Sequence, residues 1–401
     1  MRIALVSMHT SPAAVPGSGD AGGMNVVVAQ AARALSRAGH DVTAFTRASA
    51  AQPSGCSDLG DGATLVSLSA GSVDARKEAL PRLVPEFARA LRDHGIFDAV
   101  HAHYWLSGIA ALPLAAQSGV TAALTLHTVG AQKNARLAPG DRPEPPTRLA
   151  GERALTHLTQ LIACSTSERE AIVSGSGASR RGIPVVTPGV DTALFRPRDD
   201  TTAVRDPERP LRITVLGRVQ PLKGQDLAVA AAAELARQDP TLWARCELVV
   251  AGEPTPGAEQ YAAELRVLAA REGIADRVRF LPAQDRAAAA ALFADSALVL
   301  VPSHSETFGL VALEAAAAGV PAVVAAHTGL LEATPPGEAG VRVVGRQPRE
   351  WARVLGELLH DPARRSELGR AARAHALSHS WDAHAAQLTE VYARLRVSRN
   401  D

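Results

Sequence analysis

The sequence predicts an α/β protein of two similar lobes, each a mostly parallel sheet wrapped by helices. Apolar runs of strand length alternate with Ala/Leu-rich helical stretches along nearly the whole chain. Both halves follow this plan, and a segment enriched in Pro, Asp and Thr, Asp199 to Pro210, lies between them. A chain of 401 residues has room for two or three domains with cores of their own. The expected divisions are 1–195, 196–375, and 376–401 as a last helix returning to the first lobe.

Composition narrows the function. With 46% hydrophobic and 21% charged residues the chain is an ordinary globular one. Its 42 basic and 41 acidic residues nearly cancel, so no field draws it to nucleic acid or to an anionic membrane. Aromatics at 3% are too few for a base-stacking platform. Cys56, Cys164 and Cys246 are far apart and form no CxxC, which argues against disulfides and zinc and for a reduced, cytoplasmic setting. The opening apolar residues run into His9-Thr-Ser-Pro12 rather than a cleavage motif, and no stretch has the length and apolarity of a membrane span. Small-molecule partners are expected, not nucleic acid or membrane.

In the first half, Arg2 to Met8 reads as a buried strand, followed by a Pro/Gly-rich loop and a helix from Met24 to a stop at Gly39. Gly17-Ser-Gly-Asp-Ala-Gly22 fits GxGxxG. A dinucleotide fingerprint needs its first Gly directly after the strand and an acidic residue closing the next one. Gly17 lags the strand, and Asp41 to Arg47 closes on Thr and Arg, so a nicotinamide enzyme is disfavoured. Gly22-Gly23 at the helix start still permits close approach of a phosphate.

Phe97 to His103, Thr121 to Thr128 and Leu161 to Thr166 continue the alternation, and Ile183 to Val190 ends the half. Ligands in open parallel sheets bind beyond the carboxyl ends of strands, where His9, Tyr104, His127 and Thr128 fall. His101 and His103 could form a metal pair, but with no third ligand evident nearby, one core and one rim histidine is the expectation. Lys77 and Arg148 lie in polar segments and read, taken singly, as solvated charges.

Leu211 to Arg218 reopens the pattern in the second half. Arg218 and Lys223 stand between that strand and a helix from Gln225 to Arg237. Cations at a helix start oppose its dipole, so the pair points to function: an Arg fork and a Lys point charge suit a departing diphosphate. Strands follow at Glu247 to Glu253, Val278 to Pro282 and Ala297 to Val301. Then comes the stretch Ser303-His-Ser-Glu-Thr-Phe-Gly-Leu-Val-Ala-Leu-Glu314, whose helix ends at Gly319 before a strand from Pro321. Its turn would aim the amides of Thr307, Phe308 and Gly309 at an anion. Glu306 and Glu314 frame the turn as acceptors for sugar hydroxyls, so a ligand with a phosphate centre and hydroxyls at both ends, such as a nucleotide sugar, is expected. Trp381 to Leu395 is a last amphipathic helix.

Gly217-Arg218-x4-Lys223-Gly224 with Glu306-x-Phe-Gly-x4-Glu314 resembles the retaining glycosyltransferases of the GT-B fold, family 4. Ser7 to Pro12, Pro16 to Val26, His103-Tyr-Trp-Leu-Ser-Gly108 and His127-Thr-x4-Lys133-Asn134 resemble the branch of that family that glycosylates inositol 3-phosphate at the start of mycothiol synthesis. The resemblance implies two Rossmann-like domains facing across a cleft. It also implies transfer of N-acetylglucosamine from UDP-GlcNAc to the 1-hydroxyl of the cyclitol phosphate, by a homodimer that needs no metal, although Mg2+ is compatible. Lys77, Tyr104, Thr128 and Arg148 are then expected to grip the acceptor phosphate, with His9, Asp20 and Asn25 beside the ring. Gly23, Arg218, Lys223, Gln284, Glu306, Thr307, Phe308, Gly309 and Glu314 are expected to hold the donor. Arg218, Lys223, Glu306 and His127 are the expected catalytic residues. The family's basic residue after the strand Val278 to Leu281 is replaced here by Pro282-Ala-Gln284, leaving Gln284 to meet the base. A secondary-metabolite transferase with another donor and acceptor is the alternative expectation.

Overall fold

The structure, a computed structural model, describes residues 1–198, 209–337 and 339–395. Most of the expected segment Asp199 to Pro210 therefore lies outside the described residues.

The first sheet is built from β1 (Arg2–Val6), β2 (Asp41–Arg47), β3 (Gly55–Gly60), β4 (Ala63–Leu68), β5 (Ala99–His103), β6 (Ala123–Thr125) and β7 (Gln160–Leu161). Its order is β3-β4-β2-β1-β5-β6-β7. All neighbours are parallel except β3, which pairs antiparallel with β4. That hairpin turns at Asp61-Gly62, both at positive φ, the backbone that an Asp-Gly pair supplies at little cost. The second sheet contains β8 (Leu211–Leu216), β9 (Cys246–Ala251), β10 (Val278–Leu281), β11 (Leu298–Val301), β12 (Ala322–Ala325) and β13 (Gly340–Val343), all parallel in the order β10-β9-β8-β11-β12-β13. Helices cover both sheets, so central strands such as β9 and β11 are buried on both faces and read as unbroken apolar runs. Ile183 to Val190, which ends the first half, makes a bridge from Val185 to Ala163 rather than a strand.

The helix Trp381–Tyr392 crosses back onto the first lobe. Trp381, Leu388, Tyr392 and Leu395 join a core with Val28, Leu35 and Ile3 of the first sheet and its leading helix Gly23–Arg37. The Tyr392 hydroxyl reaches His101 Nδ1 at 2.7 Å, and Arg37 meets Asp382 at 2.7 Å. His101 and His103 are both buried, correcting the expectation of one core and one rim histidine. The neighbour missing from the sequence reading is His127, whose Nε2 lies 2.8 Å from His103 Nδ1. Residues 24 apart meet because β5 and β6 are adjacent.

Candidate active site

The carboxyl ends of both sheets open on a cleft between the lobes. Two confluent cavities fill it, about 1400 Å³ and 720 Å³ in extent, sharing Gly22, Gly23, Arg218 and Lys223 on their common wall.

The first lobe brings basic side chains to the cavity. Lys77 sits in a 3-10 turn leading into the helix Leu80–Arg92, and its ammonium lies 3.7 Å from Asp20 Oδ1. Tyr104 follows β5 at φ +76, a conformation unusual for a bulky residue, which turns its ring into the cavity. The Arg148 guanidinium lies 4.8 Å from the centre of that ring. Arg148 is itself buried, anchored by Glu152 at 2.6 Å, Glu144 at 2.9 Å and the Thr128 carbonyl at 2.6 Å. A buried cation held from three sides is oriented before any ligand arrives. His9 packs against Tyr104 at 4.4 Å between centroids, and its Nδ1 finds no hydrogen-bond partner among the described residues. Burial, and then the nearby Lys77, Arg218 and Arg148, lower its pKa to about 3, so it stays neutral. Asn25 accepts the Gly22 amide at 2.9 Å and donates to the Ser11 carbonyl at 2.7 Å, fixing the mouth of the Gly-rich loop.

His127 lies two residues beyond β6, at φ +58. Its ring lies between His103 and Cys164 Sγ, 3.8 Å from Nδ1, and burial drops its pKa to about 3. Its carbonyl accepts from Thr307 Oγ1 of the second lobe. Ser165 Oγ donates to the Thr307 carbonyl at 2.6 Å, so the turn after β11 is pinned to the first lobe from both sides.

On the second lobe the Arg218 guanidinium lies against Gly22. A Cβ built on that glycine would sit 3.2 Å from Arg218 Nε, so a larger residue there would push the guanidinium by a few tenths of an ångström. Lys223, in the 3-10 turn Pro221–Lys223, places Nζ 2.7 Å from Glu306 Oε1, an oxygen that also accepts from Ser303 Oγ at 2.7 Å. Gly309 has φ +110, and the helix Leu310–Ala317 begins directly behind it. Phe308 is buried, and Thr307, Phe308 and Gly309 line the larger cavity.

The smaller cavity contains Glu314 and Gln284, whose side-chain amide donates to the Pro282 carbonyl at 2.8 Å. It also contains Arg286, absent from the sequence reading, whose Nη1 lies 3.2 Å from Glu314 Oε1. Arg286 thus brings a basic side chain to this cavity two positions beyond Gln284. The first turn of the helix Arg286–Ala294 carries it to the cavity. Burial raises the Glu314 pKa to about 7, outweighing the opposing pull of Arg286.

The sequence-predicted residues therefore surround one cleft. Its two walls each carry a pair of cations, Lys77 with Arg148 and Arg218 with Lys223. Residues 21–194 match the model of Glycosyltransferase Family 4 and residues 198–375 that of Glycosyl transferases group 1. A D-inositol 3-phosphate glycosyltransferase of Salinispora tropica is 41% identical over 98% of this chain and 85% of its own. One from Acidothermus cellulolyticus is also 41% identical, over 95% of this chain and 87% of its own.

The chain belongs to the D-inositol 3-phosphate glycosyltransferase family.

It is a glycosyltransferase of the GT-B fold. Sucrose-phosphate synthase from Thermosynechococcus elongatus superposes with a TM-score of 0.87 at 29% identity, each chain 98% covered. Anabaena HepE in complex with UDP and glucose, at 19% identity and a TM-score of 0.77 over 98% of this chain and 100% of its own, shares the fold. No helix among the described residues of this family member is long and apolar enough to cross a membrane.

Proposed function

We propose that this glycosyltransferase moves N-acetylglucosamine from UDP-GlcNAc to the 1-hydroxyl of 1D-myo-inositol 3-phosphate with retention of configuration, as in mycothiol biosynthesis. The observation that carries the reading is the pair of cationic walls facing one cavity: Lys77 and Arg148 on one lobe, Arg218 and Lys223 on the other. A single anion needs only one such wall. A phosphorylated acceptor meeting a nucleotide diphosphate needs both.

Tyr104, Thr128, Lys77 and Arg148 receive the acceptor phosphate, and Asn25 and His9 border the cyclitol. The donor diphosphate lies between Gly23 and the Arg218/Lys223 pair. Glu314 accepts the ribose hydroxyls, Gln284 and Arg286 meet the base, and Glu306 and the turn Thr307-Phe308-Gly309 meet the sugar. The acceptor hydroxyl attacks the anomeric carbon on the face from which the diphosphate departs, and the leaving oxygen takes the hydroxyl proton. Arg218 and Lys223 offset the charge that develops on that oxygen, so catalysis is chiefly positional and electrostatic and no metal is obligatory. Closure of the lobes keeps water from hydrolysing the donor. A cytoplasmic homodimer completes the reading.

The deciding assay incubates the protein with UDP-, GDP- and dTDP-sugars against inositol 3-phosphate and free inositol, read by mass spectrometry. Glycosylated inositol phosphate from UDP-GlcNAc, with free inositol far poorer, is expected. Equal use of free inositol, or no product from any UDP-sugar, overturns it.

A further inference from the structure

One carboxylate stands between the two cationic walls. Asp20 Oδ1 lies 3.7 Å from Lys77 Nζ on the acceptor side and 3.9 Å from Arg218 Nη1 on the donor side. Arg218 also donates to the Asp20 backbone carbonyl at 3.3 Å. A carboxylate has no hydrogen to offer a phosphate and repels it. Where both substrates bring anions, Asp20 is thus misplaced as a direct ligand and well placed as a substitute for them. It sits in a turn with Gly17 and Gly19 at positive φ and Gly22-Gly23 behind it.

We propose that Asp20 is a displaceable counter-ion that couples the donor and acceptor pockets. The inference rests on the reading of the two walls given above. The same oxygen serves both cations, so the first anion to arrive must move it away from both. That ligand bears the cost of displacement, and the second finds its cation already free. Two anions that would otherwise repel one another then bind with positive cooperativity, and by linkage the effect is the same in either order. Asp20 acts through Lys77 and Arg218 and is a positioning residue.

Calorimetric titrations of UDP and of inositol 3-phosphate, each alone and each with the other saturating, test this. In the wild-type protein each ligand is expected to tighten the other about 5- to 20-fold, at the lower end of typical coupling between sites. In Asp20→Asn, each ligand alone is expected to bind several-fold tighter than in wild type, with the coupling reduced to about 1 or below. Asp20→Glu, which keeps the charge, should retain part of the coupling. Loss of a merely structural contact would weaken both ligands in Asp20→Asn, and that result overturns the proposal. Independent binding of the two ligands to wild type, or unchanged coupling in Asp20→Asn, also overturns it. If wild type binds neither ligand, the reading of the two walls fails first, so the two failures are distinguishable.

Discussion

The Lys223 ammonium lies against Glu306 at 2.7 Å, in a wall that is three-quarters shielded from solvent. On the proposed reading, it turns toward a diphosphate whose charge grows as the glycosidic bond breaks. An interaction that strengthens toward the transition state acts on kcat rather than on binding. Lys223→Ala is therefore expected to lower kcat about 10²- to 10³-fold, the size found when one preorganised donor is removed, with acceptor KM little changed. Steady-state kinetics with varied donor and acceptor would measure it. Near-normal turnover would show that the leaving group is stabilised elsewhere.

At the scale of elements, β5 and its neighbours carry a histidine cluster that apolar burial keeps neutral. His101 lies between the Tyr392 hydroxyl at 2.7 Å and Thr125 Oγ1 at 2.9 Å, and burial brings its pKa to about 3. Burial also holds His103 well below the usual imidazole range and brings His127 to about 3. In the unfolded chain these rings titrate near 6.5, so below that pH the unfolded state binds protons that the folded state refuses. Stability is then complete above about pH 6.5 and falls as pH drops toward 3, with a slope approaching about 1.4 kcal/mol per pH unit for each such ring. Urea midpoints at pH 7.5, 6 and 5 are expected to fall in that order, and His101→Gln should flatten the decline. A midpoint independent of pH across this range would rule the account out.

The cluster also shows where the sequence stopped being legible. Strand-length apolar runs revealed most of the parallel strands, because strands buried on both faces need no polar alternation. The β3–β4 hairpin escaped notice because β3 is mostly exposed, although Asp61-Gly62 was a readable turn signal. The helix Leu80–Arg92 was obscured by Pro85 in its middle. The cations of the second wall are legible because Arg218 and Lys223 break a local rule at a helix start, whereas Lys77 and Arg148 read singly as solvated charges and are reached only through the family resemblance. Arg286 was missed because an arginine opening a surface helix looks like any other; only the fold brings it to Glu314. The meetings of His103 with His127 and of His101 with Tyr392 are tertiary and leave no trace in local spacing.

For the whole molecule, catalysis depends on how the lobes are held together. The cleft is bridged near its floor by the Thr307 contacts to His127 and Ser165. At one side of it, Glu332 of the second lobe accepts the amides of Thr166 and Ser167, 2.9 Å and 3.1 Å away, at the start of the helix Thr166–Ser176. Those amides are among the unpaired donors at a helix N-terminus, and a carboxylate there gains from the dipole as well as from the hydrogen bonds. Opening the cleft returns them to water, so the contact contributes modestly, of order 1 kcal/mol, to the closed state. Glu332 lines neither cavity, and its loss alters the lobe equilibrium without touching the substrates. Glu332→Ala is accordingly expected to increase the radius of gyration of the free protein in small-angle scattering and to raise KM for donor and acceptor together by a few-fold. Turnover at saturation should stay near normal, because bound ligands supply the closing energy that the carboxylate no longer provides. An unchanged radius with unchanged KM values would mean that the other contacts between the lobes, such as those of Thr307 and of Arg218 with Asp20, set the closure.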